Sequence, residues 1–317
     1  MDDDPTNPAP TNPARTNPAI QPLPFDAAAL RGLSERLMRS HYQNNYGGAV
    51  TRLHAIRAQL AGLDWAAAPG FVINGLKREE LVAANSMSLH ELYFAGLGGD
   101  GKLAPGGLAV ALARDFGAVD AWRAQFMALA MAMRGGSGWA LLAWSARENR
   151  LLNHWAADHT HVPAGATPIL ALDMYEHAYH IDFGADPKGY VTAFMDNLHW
   201  PRVSERYVAG VHASTSSLAV APDAFAKECG VTLIDVRRKG AYDAGTHVIE
   251  GAMWRDPERV DEWAGDITGK EVVVYCVFGH EVGQSTAARL RDAGISARFL
   301  SGGIDEWKAA GRPLRSK

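Results

Sequence analysis

The spacing of apolar residues changes once along this chain, and the change divides it into two different folds. From Phe25 onward apolar residues recur at three- and four-residue steps, as Leu30, Leu33 and Leu37 and then Val50, Leu53, Ile56 and Leu60. That spacing marks one face of a helix. Pro69-Gly70 and the run Leu97-Gly98-Gly99-Asp100-Gly101 interrupt it. A helix is predicted between them over about 78–92, and another over 107–133, ended by Gly135-Gly136-Ser137-Gly138. Residues 139–144 and 151–155 then read as strands around the polar turn Ala146-Arg147-Glu148-Asn149. A third strand, 169–172, ends in Asp173, and a closing helix follows over about 189–208. A helical hairpin followed by a small antiparallel sheet with helices makes the first domain α+β. Residues 209–221 are rich in Ala, Ser and Val, and beyond them the pattern becomes strand–helix alternation. The apolar runs 231–235 and 271–276 are each followed by a helical stretch, and 298–300 is a further strand. Such alternation predicts a small α/β domain with a parallel sheet. The expected organisation is an arm over 1–21, a first domain over 22–208, a linker over 209–217 and a second domain over 218–317. The arm repeats Thr-Asn-Pro-Ala three times. Proline at that density denies the backbone its hydrogen bonds, so the arm is expected to be disordered.

Composition narrows the partners. A net charge of -4 gives no reason to expect nucleic acid. No apolar run approaches the roughly 20 residues of a membrane helix. The N-terminus lacks the basic-then-apolar order of a secretory signal. Two cysteines, Cys229 and Cys276, argue against a disulfide framework and for a reducing compartment, so a cytoplasmic location is expected. Ten of the 12 histidines lie at or before position 212, a bias that hints at metal chemistry in the first two-thirds.

The stretch Asp173-Met-Tyr-Glu-His177-Ala-Tyr-His180 places a carboxylate at a strand end and an imidazole four residues on, so that both can aim at one point. It resembles the Asp-x-Trp-x-His-Ala-Tyr signature of the iron/manganese superoxide dismutases. The resemblance extends over about 22–207: Leu23-Pro24-Phe25 is similar to that family's start, Gly136-Ser137-Gly138-Trp139 to its Gly-Ser-Gly-Trp, and Asn197-Leu-His-Trp200 with Ser204-Glu-Arg-Tyr207 to its final helix. The resemblance implies one iron or manganese ion per chain, with His41, His90, Asp173 and His177 as ligands. It implies dismutation of superoxide to oxygen and hydrogen peroxide by redox cycling of that ion. Imidazole and carboxylate suit either ion, so the choice between iron and manganese stays open. Asp158-His159 is similar to the version of the family in which a histidine hydrogen-bonds the metal-bound solvent, with His161 as the local competitor. Trp139 is expected to form an apolar wall, and Tyr175 stands where most members have tryptophan. Glu176 matches the residue that reaches the other subunit's ligand histidine, which implies a homodimer.

The chain departs from the family pattern in places. On the first ligand helix the family's His-x-x-x-His-x-x-x-Tyr becomes His41, Asn45 and Ala49, so the gateway tyrosine is absent; Tyr42 and Tyr46 have other helical phases. Ser86, four before His90, matches neither common choice for the residue that helps set metal preference. His180 replaces a tyrosine that pairs across the dimer, and Asn45 is expected to meet His180 of the other subunit.

In the second domain, Ile234-Asp235-Val236-Arg237, Tyr242 and Gly251-Ala252 resemble the first rhodanese signature. Leu300-Ser-Gly302-Gly303-Ile-Asp-Glu-Trp307-Lys-Ala-Ala-Gly311-Arg-Pro resembles the second. Cys276 then corresponds to the cysteine that carries a persulfide, with loop N–H groups and a helix start near Gln284 favouring its thiolate. Glu281-Val282 stands where thiosulfate-using members place Arg-Ser, and a carboxylate there disfavours thiolate and anionic donor alike. The domain is expected to use another donor, to sense redox state, or only to bind. Two functions are therefore expected to compete: a superoxide dismutase with an accessory thiol domain, and a metal-binding scaffold that does not dismutate.

Overall fold

Ser34 opens the first helix by accepting the N–H of Leu37 with its hydroxyl. The computed structural model of the chain describes residues 17–134, 136–228, 230–267 and 271–317. α1 (Glu35–Ser40) runs without a break through a π-helical turn, His41–Tyr46, into α2 (Gly47–Ala61). α3 (Gly70–Ala95) folds back along α2, with Leu53, Ile56, Leu60 and Ala83 in the seam. This helix is longer than the expected 78–92. Pro69 caps its start rather than breaking it, because the first turn needs no N–H from that residue.

The segment 107–133 forms two helices instead of one, α4 (Gly107–Phe116) and α5 (Val119–Ala132). Gly117 between them takes φ +88°, a left-handed conformation that glycine adopts at little cost. β1 (Trp139–Ser145) is buried along its whole length at the centre of an antiparallel sheet, flanked by β2 (Arg150–Ala156) and β3 (Ala166–Asp173). Its register sets Trp139 opposite Asp173. After a short α6 (His180–Phe183), the expected closing helix also divides, into α7 (Pro187–Asp196) and α8 (Trp200–Thr215). Asn197 at the joint exchanges two hydrogen bonds with the backbone of Arg31, at 2.9 and 2.7 Å, which ties the end of the domain to its beginning.

α8 runs on to Thr215, so most of the expected linker 209–217 is helical, with Val211 and Thr215 buried. Of the expected arm, 1–16 lies outside the described residues. Residues 18–21 are held to the hairpin: His54 bonds Pro18 O at 2.8 Å, and the hydroxyls of Tyr42 and Tyr46 bond the backbone of Gln21.

The second domain begins with β4 (Ala219–Val220) and α9 (Pro222–Phe225). β5 (Thr232–Asp235), α10 (Lys239–Ala244), β6 (His247–Ile249), β7 (Met253–Trp254) and α11 (Val260–Trp263) follow. The chain closes with β8 (Val272–Tyr275), α12 (Glu281–Asp292), β9 (Ala297–Leu300), α13 (Gly303–Ala309) and β10 (Leu314–Ser316). A parallel sheet runs in the order β4-β9-β8-β5-β7, as strand–helix alternation leads one to expect. β8 is central and alternates its faces: Val272 and Val274 pack with Leu290 and Phe299, Val273 and Tyr275 with Ile249 and Trp307. α12 lies along α8 and joins the two domains. Gln284 Nε2 donates to His212 Nδ1 at 3.2 Å, and the Glu281 carboxylate lies where a Cβ on Gly107 would stand. Among the described residues, no helix is long and apolar enough to cross a membrane.

Candidate metal centre

Four side chains from four parts of the first domain converge. His41 comes from the π turn, His90 from α3, Asp173 from the last position of β3 and His177 from the turn after it. Their ligating atoms all lie within 4.8 Å of one another. His41 Nε2, His177 Nε2 and His90 Nε2 stand 3.0, 3.2 and 3.5 Å from the same oxygen, Asp173 Oδ2. The other oxygen, Oδ1, accepts the N–H of Tyr175 at 2.8 Å, which fixes the plane of the carboxylate. His90 Nδ1 donates to Ser86 O at 2.7 Å. The neutral ring therefore turns a bare lone pair on Nε2 toward the group, and that buried nitrogen has no hydrogen-bond partner. A cation among these atoms would satisfy it, so the donor set fits a metal ion. Burial depresses His41, and it holds His90 at about 3, so both rings are neutral as ligands must be. Burial alone would raise Asp173, but hydrogen bonds from His177 and His41 reverse this and hold its carboxyl well below the usual carboxylate range.

The surroundings are aromatic. Trp139 is fully buried and sets its edge against His90 at 5.2 Å and 88°. Its Nε1–H donates to His159 Nδ1 at 2.9 Å, so the neutral His159 ring carries its proton on Nε2. His159 stacks on Tyr175 at 5.0 Å and 12°, and lies 6.3 Å from His90. Tyr175 stacks in turn on His177 at 5.4 Å. His161 stands outside this cluster, exposed and stacked on Trp155 at 6.0 Å. Trp139→Phe keeps the apolar wall but leaves His159 Nδ1 without its donor. That loss is expected to cost about 1–3 kcal/mol and to free the His159 tautomer. A lower superoxide turnover at unchanged metal content is the expected result.

The π turn explains what the α-helical reading missed. His41 and Tyr46 are five residues apart, one π turn, and both are buried, whereas Asn45 is only half-buried. Tyr46 therefore follows His41 on the inner face. Its hydroxyl donates to Glu91 Oε1 at 2.8 Å, and its ring lies 6.5 Å from that of His90. An α-helical phase sets Tyr46 off the His41 face, and the π turn brings it back.

The family profile of the iron/manganese superoxide dismutases, C-terminal domain, matches residues 104–206, and that of the rhodanese-like domain matches 222–310. The superoxide dismutase [Fe] of Cupriavidus metallidurans is 58% identical over 192 residues, which cover 61% of this chain and 97% of that protein. The chain belongs to the iron/manganese superoxide dismutase family. The superoxide dismutase [Fe] of Aquifex pyrophilus is 32% identical, covering 58% of this chain and 88% of its own length. The superoxide dismutase [Mn] 2 of Haloferax volcanii is also 32% identical, over 61% of this chain and 96% of its own. These matches to iron and manganese proteins span the first domain, and the rhodanese-like domain is appended to it.

Within this dismutase domain, Ala49 leaves open space. A cavity of about 270 Å³ is lined by Asn45, Gly48, Ala49, Arg52, Ser86 and His159 among others, beside the ligand group. Glu176, on the turn that carries His177, and His180, at the start of α6, are exposed. In the rhodanese-like domain Cys276 directly follows β8 and is 5% exposed. Burial pushes its thiol up and outweighs the backbone N–H groups of Gly283, Phe278, His280 and Gly279, which pull it down as expected of the loop. α12 starts at Glu281, earlier than Gln284, and Glu281 is ion-paired to Arg238 at 3.0 Å.

Proposed function

We propose that the chain converts superoxide to oxygen and hydrogen peroxide at one iron or manganese ion held by His41, His90, Asp173 and His177. The observation that carries this is the convergence of three histidine Nε2 atoms on Asp173 Oδ2, with the buried Nε2 of His90 lacking any other partner. A bound iron or manganese ion supplies the one-electron step in each direction. Asp173 contributes the one anionic ligand. Ser86 O aims the His90 ring, and Trp139 excludes water from one side. His159 holds a proton on Nε2 beside the ligand group, where it can hydrogen-bond solvent or incoming superoxide. Metal analysis of the purified full chain, with a superoxide consumption assay on the same fractions, tests this. One iron or manganese per chain is expected, with consumption proportional to metal. Consumption independent of metal would overturn it.

A second reading, a metal-binding scaffold that does not dismutate, is favoured by Ala49 and the cavity it leaves. A metal-loaded but inert chain in which Ala49→Tyr gains activity would support that reading.

The working unit we propose is a homodimer in the cytoplasm, built from a dismutase unit over 22–208 and a rhodanese-like unit over 218–317. The exposure of Glu176 on the turn and of His180 and Ile181 at the start of α6 supports an interface there. Glu176 of one subunit would meet His177 of the other, and His180 would meet Asn45. An amide and an imidazole can exchange a hydrogen bond in either direction. His180→Ala leaves the amide unpaired at each of two symmetric sites, at about 1–3 kcal/mol per site. Sedimentation is expected to show a dimer, with weaker association in the variant. A monomer, or an unchanged dissociation constant in the variant, would remove the assignment. The low cysteine count supports the compartment.

A further inference from the structure

His159 is carried by the loop between β2 and β3, and the ring can stand at a fixed place beside the ligand group only if that loop is held. Some of the loop's hydrogen bonds are internal. Asp158 Oδ1 accepts from Thr160 N and from Thr160 Oγ1, both at 2.6 Å, and His161 N donates to Asp158 O at 3.3 Å. These bonds shape the turn but do not place it. His154 of β2 ties its far end to the sheet at His161 O, 3.1 Å away. Two contacts place His159 itself. Trp139 of β1 fixes the ring through Nδ1. Asn85 of α3 fixes the backbone, its Nδ2 donating to His159 O at 2.6 Å. Among the described residues this is the one hydrogen bond from the helical hairpin to the loop. The next residue of α3, Ser86, accepts from His90 Nδ1 with its carbonyl oxygen. Two consecutive residues of one helix therefore hold two histidines whose rings lie 6.3 Å apart, one inside the ligand group and one outside it. Ser86 and His159 also line the same cavity beside that group.

We propose that Asn85 is a positioning residue for His159: by tethering the loop to α3 it sets where His159 Nε2–H stands relative to a small anion arriving at the ligand group, and so how tightly that anion is held. The inference rests on the reading of that group as a dismutase metal site. Asn85 touches neither the anion nor the ligands and acts only through His159. A hydrogen bond weakens steeply with angle and distance, and displacing such a group by about 1 Å removes most of its effect. Without Asn85 the loop keeps its internal turn and its tie to β2, but α3 no longer fixes the spacing between His90 and His159.

Two variants remove the donor. Asn85→Asp keeps the shape and sets a carboxylate against the His159 carbonyl, and Asn85→Leu removes polarity altogether. Asn85 is half-buried, so the fold can accept either. The first measurement is NMR of the ring nitrogens in the full chain loaded with zinc, whose filled d shell leaves them visible, with His159→Gln to identify the signals. The unmodified chain is expected to show His159 as a single tautomer with its proton on Nε2, and both variants a mixture. The second measurement uses the chain loaded with iron or manganese and azide as the anion. The dissociation constant for azide is expected to rise about fivefold in both variants, and KM for superoxide by a similar factor, at unchanged metal content. A purely structural role would lower the unfolding midpoint and leave the ring signals and azide affinity unmoved, and that result would overturn the proposal. So would a mixture of tautomers in the unmodified chain, a measurement that needs no variant to fold. A chain that binds metal but consumes no superoxide would remove the dismutase reading, while the ring signals and azide affinity would still decide the role of Asn85.

Discussion

Asp173→Ala is expected to strip the chain of metal and to reduce superoxide consumption to the uncatalysed rate. Asp173 is fully buried, and one of its oxygens is the common neighbour of all three histidines. Its removal leaves three imidazoles, and no anion remains within the ligand group to offset the charge of the ion. Partners that only orient ligands are worth about 10- to 100-fold in metal affinity, so loss of the carboxylate ligand itself should exceed that. The alanine also frees the N–H of Tyr175, and with it the turn that carries His177. Asp173→Asn separates the two effects. It keeps an oxygen for Tyr175 and the shape of the side chain but removes the charge. The native carboxyl is held well below the usual range and is ionised, and the asparagine variant, which puts an amide NH₂ in place of Oδ2, reads the loss of the anionic ligand oxygen without loss of the Tyr175 contact. Both variants should emerge folded and metal-poor. Full metal content and full activity in either would end the assignment of Asp173 as a ligand.

The parts of this protein legible in its sequence are those written in local chemistry. Asp173 and His177 are four residues apart in one turn, and the three strands of the first sheet alternate between clear glycine and polar turns, so both could be read directly. His41 and His90 could be placed only by resemblance, because their convergence depends on how α3 packs against the first helix. Helix phase was the weak point. The reading of His41, Asn45 and Ala49 as one face assumes about 3.6 residues per turn, and the π turn adds a residue where the metal group needs it. Tyr46 was set aside as out of phase for that reason. Helix ends misled in the opposite direction: Pro69 reads as a break but starts a helix, whereas Gly117 sits inside a periodic stretch and ends one. In the second domain, Glu281 reads as an unpaired charge beside the cysteine. Its partner Arg238 is 43 residues away and contributes nothing to any local pattern.

Arg237→Ala is expected to destabilise the rhodanese-like domain by about 3–5 kcal/mol, the cost of leaving a buried carboxylate without its cation. Asp235 is fully buried at the end of β5, beside the central strand. It accepts from Arg237 N and Nε at 3.0 Å and from the Tyr275 hydroxyl at 3.0 Å. The guanidinium also bonds His247 O, so one side chain links β5 to β6 across two residue types that must both be satisfied. The Asp-Val-Arg run that marks this domain in the sequence is thus a structural clamp: the two charged residues are i and i+2 so that both turn to the same side of the strand end. With alanine at 237 the carboxylate keeps a backbone N–H and one hydroxyl, too little to offset its desolvation. Replacing both partners, as in Asp235→Val with Arg237→Leu, removes the charge together with its counter-charge and should cost less than the single change, because no ion is left buried. For a domain of this size a loss of that order lowers the unfolding midpoint by roughly 15 °C or more. Calorimetry of the full chain reads the two domains as separable transitions only if their coupling through α8 and α12 is weaker than the loss, so limited proteolysis within 218–317 is the second measurement. A midpoint within a few degrees of the original, or a double variant less stable than Arg237→Ala, would show that the pair does not hold the fold.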